Sequence, residues 1–289
     1  MSAALWEQYI LAKTYFDPAG LIVATENARP IGFVHAGFGP VATGEQLDRS
    51  QGVICQLMAF SHADQGEILS ELLSAAEDYL TRSGSRSSLA GNADRLGPFY
   101  LGLYGSSRLV GVLQSDQVRL AFLQAAGYQN VGQKSVLQRS LVGFRPPVDR
   151  DQVKHRKLHE MIIQHDPVAR DWWEACATSH EERMSFELVP KCGGPVIAAA
   201  TTTQLHALSC AWGVNAAGFE EVAAMTDAWL NGSALCLLAE TMRTLQCQGV
   251  MLMEAVVDDL TSPLGKVLLA LGFKEVDRGL VLRKELAQQ

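Results

Sequence analysis

The chain has 289 residues, which is enough for one large domain or two ordinary ones. Hydrophobic residues make up 48% and charged residues 19%, a balance that supports buried cores and excludes an intrinsically disordered chain. The net charge of −7 argues against nucleic acid or an acidic membrane surface as the main partner, although a helix N-terminus can still bind an anion.

Targeting signals and cysteine usage bear on where the protein works. The first ten residues contain no basic segment followed by an apolar run, so we expect no signal peptide. No uninterrupted apolar stretch of about 18 residues predicts a transmembrane helix. The six cysteines form no Cys-x-x-Cys pair, which favours buried, reduced thiols in a cytoplasmic protein.

In chain order, the first elements alternate between helices and strands. A helix is predicted over residues 1–14, and strands at 20–25 and 31–37 form a hairpin. A longer apolar strand follows at 53–60. Apolar residues at helical spacing over 68–82 then predict a helix, and a helix that directly follows a strand begins a β-α-β unit.

Residues 91–114 are rich in glycine and aromatic residues and show no clear period. We interpret them as a long ordered loop, and long loops inside compact domains are often functional. Ser115 or Asp116 is positioned to cap the next helix, which ends at Gly127, and a strand follows at 134–140.

Arg145-Pro146-Pro147 predicts a boundary between two parts of the chain. Beyond it, residues 151–164 are ambiguous between helix and strand. His155 and His159 lie four residues apart, but no carboxylate completes a ligand set, so we interpret them as solvated histidines and predict no metal site. The other predicted elements are a capped helix from Asp171, strands at 184–191, 195–202, 217–225 and 249–257, and helices at 234–246 and 263–271.

The end of the chain repeats a pattern from its middle. Residues 267–286 agree without gaps with residues 122–141, so that Gly272 matches Gly127 at an offset of 145. Each copy is the end of an apolar helix, a glycine, an aromatic residue, a short polar gap and an apolar strand. We therefore predict a duplicated domain, with one copy at 1–144 and the other at 145–289.

These residues resemble a known family. Three segments are similar to the GNAT superfamily of acyl-CoA-dependent N-acyltransferases. They are the C-terminal segment at 272–284, the helix Gly-Ser-Ala-Leu-Cys-Leu-Leu-Ala-Glu at 232–240 and the run Phe-Tyr-Leu-Gly-Leu-Tyr-Gly at 99–105. The resemblance covers nearly the whole chain as two tandem copies, as in mycothiol synthase-like proteins. It implies an α/β (α+β) fold of two GNAT-like domains, each a mixed, mostly antiparallel sheet flanked by helices.

The resemblance also implies where acetyl-CoA would bind. The family has a loop of the form Arg/Gln-x-x-Gly-x-Gly/Ala at a helix start, where main-chain N–H groups surround the diphosphate. In the second copy this loop matches Asn231, Gly232, Ser233 and Ala234, although Trp229 stands where Arg or Gln is expected. We expect this second loop to be the better phosphate site.

In the first copy the same loop is less clear. One alignment places Asp64, Glu67 and Leu69 at the motif positions, and two of these side chains would repel a phosphate. A shift of one residue uses Gln65 and Gly66 instead. The strand before this loop would bind the pantetheine arm through its main chain, which the resemblance places at Leu57 and Ala59.

The catalytic residues are left open by the sequence. The family often uses a tyrosine on the last helix as an acid, but Leu123 and Leu268 occupy those positions, and Tyr104 or Tyr100 in the aromatic loop would have to replace it. A carboxylate can accept the proton of the amine, directly or through water. The candidates for this general base are Glu220, Glu221 and Glu254. Cys55 and Cys236 have no recognisable base nearby and are interpreted as buried thiols.

Two functions follow from the resemblance. The first is an N-acetyltransferase that transfers an acetyl group from acetyl-CoA to a small-molecule or peptide amine. The alternative is a catalytically inactive GNAT-fold module that binds acyl-CoA or a protein partner. A nucleotide-binding α/β protein is a weaker third option, because no glycine-rich dinucleotide motif follows a main strand. The sequence leaves a homodimer open.

Overall fold

The computed structural model describes residues 2–61, 64–91, 97–104, 107–148 and 150–286. The strands are β1 (Leu21–Glu26), β2 (Arg29–Pro40), β3 (Leu47–Ala59), β4 (Ser87–Ala90), β5 (Val112–Leu113), β6 (Gln129–Ser140), β7 (His159–His165), β8 (Arg183–Pro190), β9 (Ala198–Gln204), β10 (Ala216–Ala224), β11 (Leu252–Val257) and β12 (Lys274–Glu285). The helices are α1 (Ala3–Trp6, continued by a π-helical turn over Glu7–Leu11), α2 (Gln65–Arg82), α3 (Gln117–Ala125), α4 (Arg150–Leu158), α5 (Trp172–Ala177), α6 (His206–Trp212), α7 (Thr226–Leu230), α8 (Ser233–Cys247) and α9 (Pro263–Ala270).

Local signals in the sequence placed most of these elements within a few residues. Asp116 caps α3 as predicted, because its carboxylate accepts a hydrogen bond from the Arg119 N–H at 3.3 Å. Asp171 caps α5 in the same way. The two repeated glycines both adopt the left-handed conformation that ends a helix, with φ of 92° at Gly127 and 83° at Gly272.

Five short elements needed tertiary structure to define them. The ambiguous region at 151–164 contains both readings, since α4 is followed at once by β7. The helices α6 and α7 were not predicted, because seven and five residues are too few to show a helical period. Parts of the predicted aromatic loop, at 92–96 and 105–106, lie outside the described residues, and β5 forms near its end.

One twisted sheet runs through the molecule in the order β1-β2-β3-β4-β12-β6-β11-β10-β9-β8-β7, with β5 paired to β12. Most neighbouring strands are antiparallel. The exceptions are β3 with β4 and β10 with β11, which are parallel and are connected through α2 and α8. This architecture is the mixed, mostly antiparallel sheet flanked by helices that we predicted.

The last strand of each half is exchanged. β12, from the second half of the chain, pairs with β4 of the first half, and β6, from the first half, pairs with β11 of the second. β6 and β12 also pair with each other along most of their length. We therefore propose that each compact unit is a half of the chain completed by the other half's last strand, whereas the boundary at 144/145 stays a prediction.

The hydrophobic cores show the same exchange. One core contains α8, α9 and strands of the second half, and Leu137 of β6 is fully buried in it. The other contains α2, α3 and strands of the first half, and Leu282 of β12 is fully buried in it. Burying one leucine contributes about 1.5–3 kcal/mol, so each half depends on the other for part of its core.

The duplication is also visible in the strand registers. In the first half Val53 lies beside Leu89, and in the second Gly218 lies beside Glu254, an offset of 165 residues on both strands. Each copy has a β-bulge at the same place, where the strand register skips Cys55 of β3 and Glu220 of β10. A bulge re-aims a side chain and is typical of functional sites.

The aromatic loop of the first half crosses onto the second half. Ser107 lies so close to Gly218 of β10 that a Cβ on this glycine would overlap it, and Val110 leaves no room for a Cβ on Gly279 of β12. Both glycines are therefore required by close backbone approach rather than by a turn. Among the described helices, none has the length and apolar composition needed to span a bilayer.

Replacing Gly279 by alanine should destabilise the protein, because the new Cβ would overlap the Val110 carbonyl. We expect a loss of about 1–3 kcal/mol in the free energy of unfolding. Gly132→Ala on β6 is the matched control, since its Cβ would meet Val281 only at 3.9 Å. That variant should be neutral or slightly more stable. Denaturant unfolding curves measure both, and equal stability of the two variants would contradict the loop crossing.

Candidate active site

The two parallel strand pairs each open into a fork. β10 and β11 are paired only from Ala216 to Gly218, and beyond this point β10 follows β9 while β11 follows β6. We call the gap between them the second fork. β3 and β4 separate in the same way after Ile54, which gives the first fork. In open sheets ligands bind where neighbouring strands diverge at their carboxyl ends.

A cavity of about 270 Å³ lies against the second fork. Glu220, Glu221 and Val222 of β10 form one wall, and Leu264 of α9 lies beside them. The opposite wall comes from the first half, from the π-helical turn after α1 and from the aromatic loop. We call this space the inter-half cavity, because neither half encloses it alone.

A chain of ion pairs runs along the cavity. Arg183 donates to Glu220 at 2.8 Å and to Glu174 at 2.6 Å. Arg170 donates to the other oxygen of Glu174 at 2.9 Å and to Glu221 at 3.0 Å. Three carboxylates thus share two guanidinium groups, so each buried charge has a partner of opposite sign.

The pKa values in this chain differ because burial and pairing compete. Burial raises the pKa of Glu220, and its pairing with Arg183 only partly opposes that shift. For Glu174 burial also pushes the pKa upward, but hydrogen bonds from Arg170 and Arg183 outweigh it and hold the pKa below its usual value. Glu220, the bulge residue, is therefore the carboxylate here that is poised to accept a proton nearer neutral pH.

Glu254, another candidate base, lies in the interior of the sheet. It is completely buried. Its oxygens accept hydrogen bonds from the Ser107 N–H at 2.5 Å and the Gln138 amide at 3.0 Å, and it does not line the inter-half cavity. Burial raises its pKa to about 7. Its contacts are those of an anchor for the aromatic loop, and its role as a base stays a prediction.

Tyr104 also lies away from the cavity. Its hydroxyl donates to Asp116 at 3.2 Å and accepts from the Leu113 N–H at 3.4 Å, which supports the start of α3. Tyr100, by contrast, lines the cavity and adopts a left-handed backbone with φ of 68°. Its hydroxyl lies 3.1 Å from Nδ1 of the buried His35.

The second loop is supported by α4. His155 binds the Asn231 carbonyl at 2.7 Å and lies 3.1 Å from the Ser233 hydroxyl, and Gln152 donates to the Gly232 carbonyl at 3.3 Å. His155 is buried, so its interpretation as a solvated histidine is wrong. Tertiary packing decides this, because nothing in the sequence around 155 names its partner 76 residues away.

The donors of the second loop are partly used within the loop itself. The Ser233 N–H is bonded to the Asn231 side chain at 2.9 Å, and both Ser233 and Ala234 are buried. Asn231 stays exposed and Gly232 is half-exposed, with φ of 84°. The Asn231 N–H is itself bonded to the Asp227 carbonyl at 2.9 Å, so Gly232 is the predicted residue that remains open to an anion at the start of α8.

The first loop is open but its fork is filled. Gly66 faces free space, and the Gln65 amide donates to the Ala59 carbonyl at 3.2 Å. Leu57 points into the core under α2. On the other face of the sheet Cys55 packs in a cluster with Tyr9, Phe99 and Tyr100. An acceptor could not reach the first fork from that face without displacing these rings.

The prediction of buried cysteines is confirmed for Cys55 and Cys236 but is wrong for Cys192, Cys210 and Cys247, which are exposed. Cys55 and Cys236 are each 2% exposed, and burial raises the pKa of both thiols. Leu123 and Leu268, at the positions of the missing tyrosines, are core residues. Among the described residues no group of three or more His, Cys, Asp or Glu side chains is placed to hold a metal ion.

Solved structures share this architecture. A tandem GNAT protein from the clavulanic acid biosynthesis pathway superposes with a TM-score of 0.65 at 13% identity, over 95% of this chain and 86% of that one. A GCN5-related glucosamine N-acetyltransferase region of a fungal multi-domain enzyme gives 0.63 at 15% identity, over 97% of this chain and 36% of that one. A GCN5-related N-acetyltransferase from Sphaerobacter thermophilus gives 0.55 at 14% identity, over 92% and 80%.

The sequence matches no protein-family model and no curated protein. At identities of 13–15% the structural similarity establishes the fold and leaves the activity to be argued from the site. The fold is therefore that of tandem GNAT proteins.

Glu254→Gln should change how stability depends on pH. The wild-type carboxyl keeps its proton up to about pH 7 in the folded state but loses it near pH 4.5 when unfolded. Its contribution to stability is therefore fully present below pH 4.5 and is lost as the pH rises through 7, by up to about 3 kcal/mol.

The variant lacks this titration, so its free energy of unfolding should fall less than that of the wild type between pH 5 and pH 8. Urea unfolding at four pH values in this range measures the difference. Parallel curves for the two proteins would show that Glu254 does not hold a proton in the folded state.

Proposed function

We propose that this protein is an acyl-CoA-dependent N-acyltransferase whose reaction takes place at the second fork. The observation that carries the proposal is the bulge at Glu220, a partly buried carboxylate that lines the cavity where two parallel strands diverge. The first fork has the same geometry but carries Cys55 beneath aromatic rings. The two copies have thus diverged at the one position where the chemistry needs a base.

The second fork suits the acyl donor for physical reasons. β10 beyond the bulge and β11 turn away from each other, so main-chain groups between them are available to an extended pantetheine arm. A main-chain N–H beside the bulge can stabilise the oxygen of the thioester as negative charge develops on it. Gly232 and the start of the 15-residue helix α8 offer a site for the diphosphate.

In the proposed reaction Glu220 accepts a proton from the ammonium form of the acceptor. The nitrogen lone pair then forms a bond to the thioester carbon, and the carbon–sulfur bond breaks. The extra proton that the nitrogen still carries passes through water to the leaving thiolate of coenzyme A, and Glu220 releases the first proton to solvent. The products are an amide, free coenzyme A and one proton. Positioning of the two substrates in the cavity would supply most of the rate.

A second candidate function is a non-catalytic module that binds acyl-CoA. The bond from the Ser233 N–H to Asn231, and the packing of α4 against the same loop, favour it because they reduce the donors available to a diphosphate. It differs from the first proposal in one respect that can be measured, the release of free thiol when an amine is added.

Three further expectations stay predictions. A cytoplasmic location follows from the cysteine pattern in the sequence, a homodimer is left open, and acetyl-CoA as the donor follows from the resemblance.

Acetyl-CoA should raise the melting temperature of the protein. A ligand at about 100 times its Kd adds about 2.7 kcal/mol to the stability of the native state. Leu230→Glu should weaken binding roughly fivefold, since a charge near the surface costs a nearby phosphate about 1 kcal/mol. Leu230 is 81% exposed, so the substitution should not disturb folding.

Gly66→Glu is the matched variant at the first loop, because this position faces open space. It should leave the shift unchanged if the donor binds in the second half. If the increase in melting temperature is lost in Gly66→Glu and retained in Leu230→Glu, the donor binds in the first half. If millimolar acetyl-CoA does not raise the melting temperature of the wild type, both candidate functions are excluded.

Glu220→Gln should lower kcat by about a hundredfold or more, as is usual for the loss of a general base. Arg183 would keep its 2.6 Å bond to Glu174, so the fold should survive. Because the pKa of Glu220 is raised, wild-type kcat/KM should increase with pH as this carboxyl ionises, and the variant should lose that increase.

Glu221→Gln provides the comparison on the same strand, since Glu221 is half exposed and bonded to Arg170. We expect a smaller effect from it. If Glu220→Gln keeps wild-type kcat while Glu221→Gln does not, the base is Glu221.

A further inference from the structure

The inter-half cavity has an aromatic wall that the reaction itself does not require. The first half contributes Tyr9, Phe99 and Tyr100 to it, and Trp173 of α5 lies beside them. Trp173 is held in place by Tyr15, whose ring stacks on it at 4.5 Å with an interplanar angle of 28°. These rings are fixed by packing, so they present a rigid apolar surface to whatever enters.

The facing wall carries the carboxylates of Glu220 and Glu221, and Lys13 and Arg108 also line the cavity. The arginines that bind these two carboxylates also bind Glu174. An ammonium group is attracted to these carboxylates, whereas an uncharged body between the two walls would contact the rings. The site therefore combines one subsite that binds a cationic group with one that binds an apolar group.

The size of the cavity limits its occupant. Its volume of about 270 Å³ is just below the ~300 Å³ at which pockets for drug-sized ligands begin. A small molecule fits, and a folded protein does not. Hydroxyl-rich acceptors such as amino sugars would face rings that offer few partners, and each hydroxyl left without a hydrogen bond costs about 1–3 kcal/mol.

We propose that the acceptor is a small primary amine carrying an aromatic body, and that the first half of the chain selects it through Tyr9 and the aromatic loop. This inference rests on the proposed N-acyltransferase function and specifies its acceptor. The inference also gives the first half a role. Because its own fork is filled, the first half contributes the aromatic residues that select the acceptor of the second half.

The test compares three amines with acetyl-CoA as donor and measures release of free thiol. The probes are 2-phenylethylamine, 2-aminoethanol and glucosamine. We expect kcat/KM to be at least tenfold higher for 2-phenylethylamine. Higher kcat/KM for either hydroxylated amine overturns the inference.

Substitutions at Tyr9 test the role of the wall. Tyr9→Leu keeps an apolar side chain but removes the ring, so it should raise KM for 2-phenylethylamine about 2- to 10-fold while 2-aminoethanol changes little. Tyr9→Phe keeps the ring and should preserve the ratio between the two amines. Val142→Ala, at a site 75% exposed on the turn after β6, is the control for an unrelated apolar truncation. An equal effect of Tyr9→Leu on both amines contradicts selection by the wall.

Calorimetric titration of the amines separates this inference from the proposed function. If no amine releases thiol but 2-phenylethylamine binds in preference to 2-aminoethanol, the transferase proposal fails and the aromatic-amine site stands. If thiol is released only with hydroxylated amines, the transferase proposal stands and the aromatic-amine site fails. Absence of 2-phenylethylamine binding at millimolar concentration overturns the site in either case.

Discussion

Strand β12 lies between β4 and β6, so each half of the chain completes its sheet with a strand contributed by the other. The exchange fixes how the halves are oriented, because β6 and β12 also pair with each other. Leu137 and Leu282, which are 145 residues apart and equivalent in the repeat, are each buried in the core of the opposite half. The two halves are therefore expected to fold as one cooperative unit, since neither core is complete without the exchanged strand.

This orientation is what creates the inter-half cavity. With the halves held by β6 and β12, the aromatic loop crosses β10 and β12 and is anchored by the bond from Ser107 to Glu254. The loop brings Phe99 and Tyr100 to the mouth of the second fork. A single GNAT-like half would present its fork to solvent, whereas here the first half encloses the fork of the second.

The two copies show how a duplicated fold divides its roles. At the equivalent bulges, Cys55 is sealed under aromatic rings and Glu220 faces the cavity. At the equivalent helix starts, the first loop is open and acidic, while the second is supported by His155 and Gln152 of α4. The bulge of the second half keeps the carboxylate-bearing Glu220 in the lining of the cavity, whereas the bulge of the first half is packed beneath the aromatic residues. This asymmetry supports the proposal that the chemistry takes place in the second half and that the first half selects the acceptor.

The sequence by itself determined the duplication, the order of most strands and helices and the family resemblance, because periodic apolar residues, caps such as Asp116 and glycines such as Gly127 act locally. It also named Glu220 and Glu221 as candidates. Only the tertiary structure decided that β6 and β12 are exchanged, that Glu254 anchors a loop, and that Tyr104 supports α3. Those outcomes depend on contacts between residues more than a hundred positions apart or on loops without a period, and such contacts leave no trace in local sequence patterns.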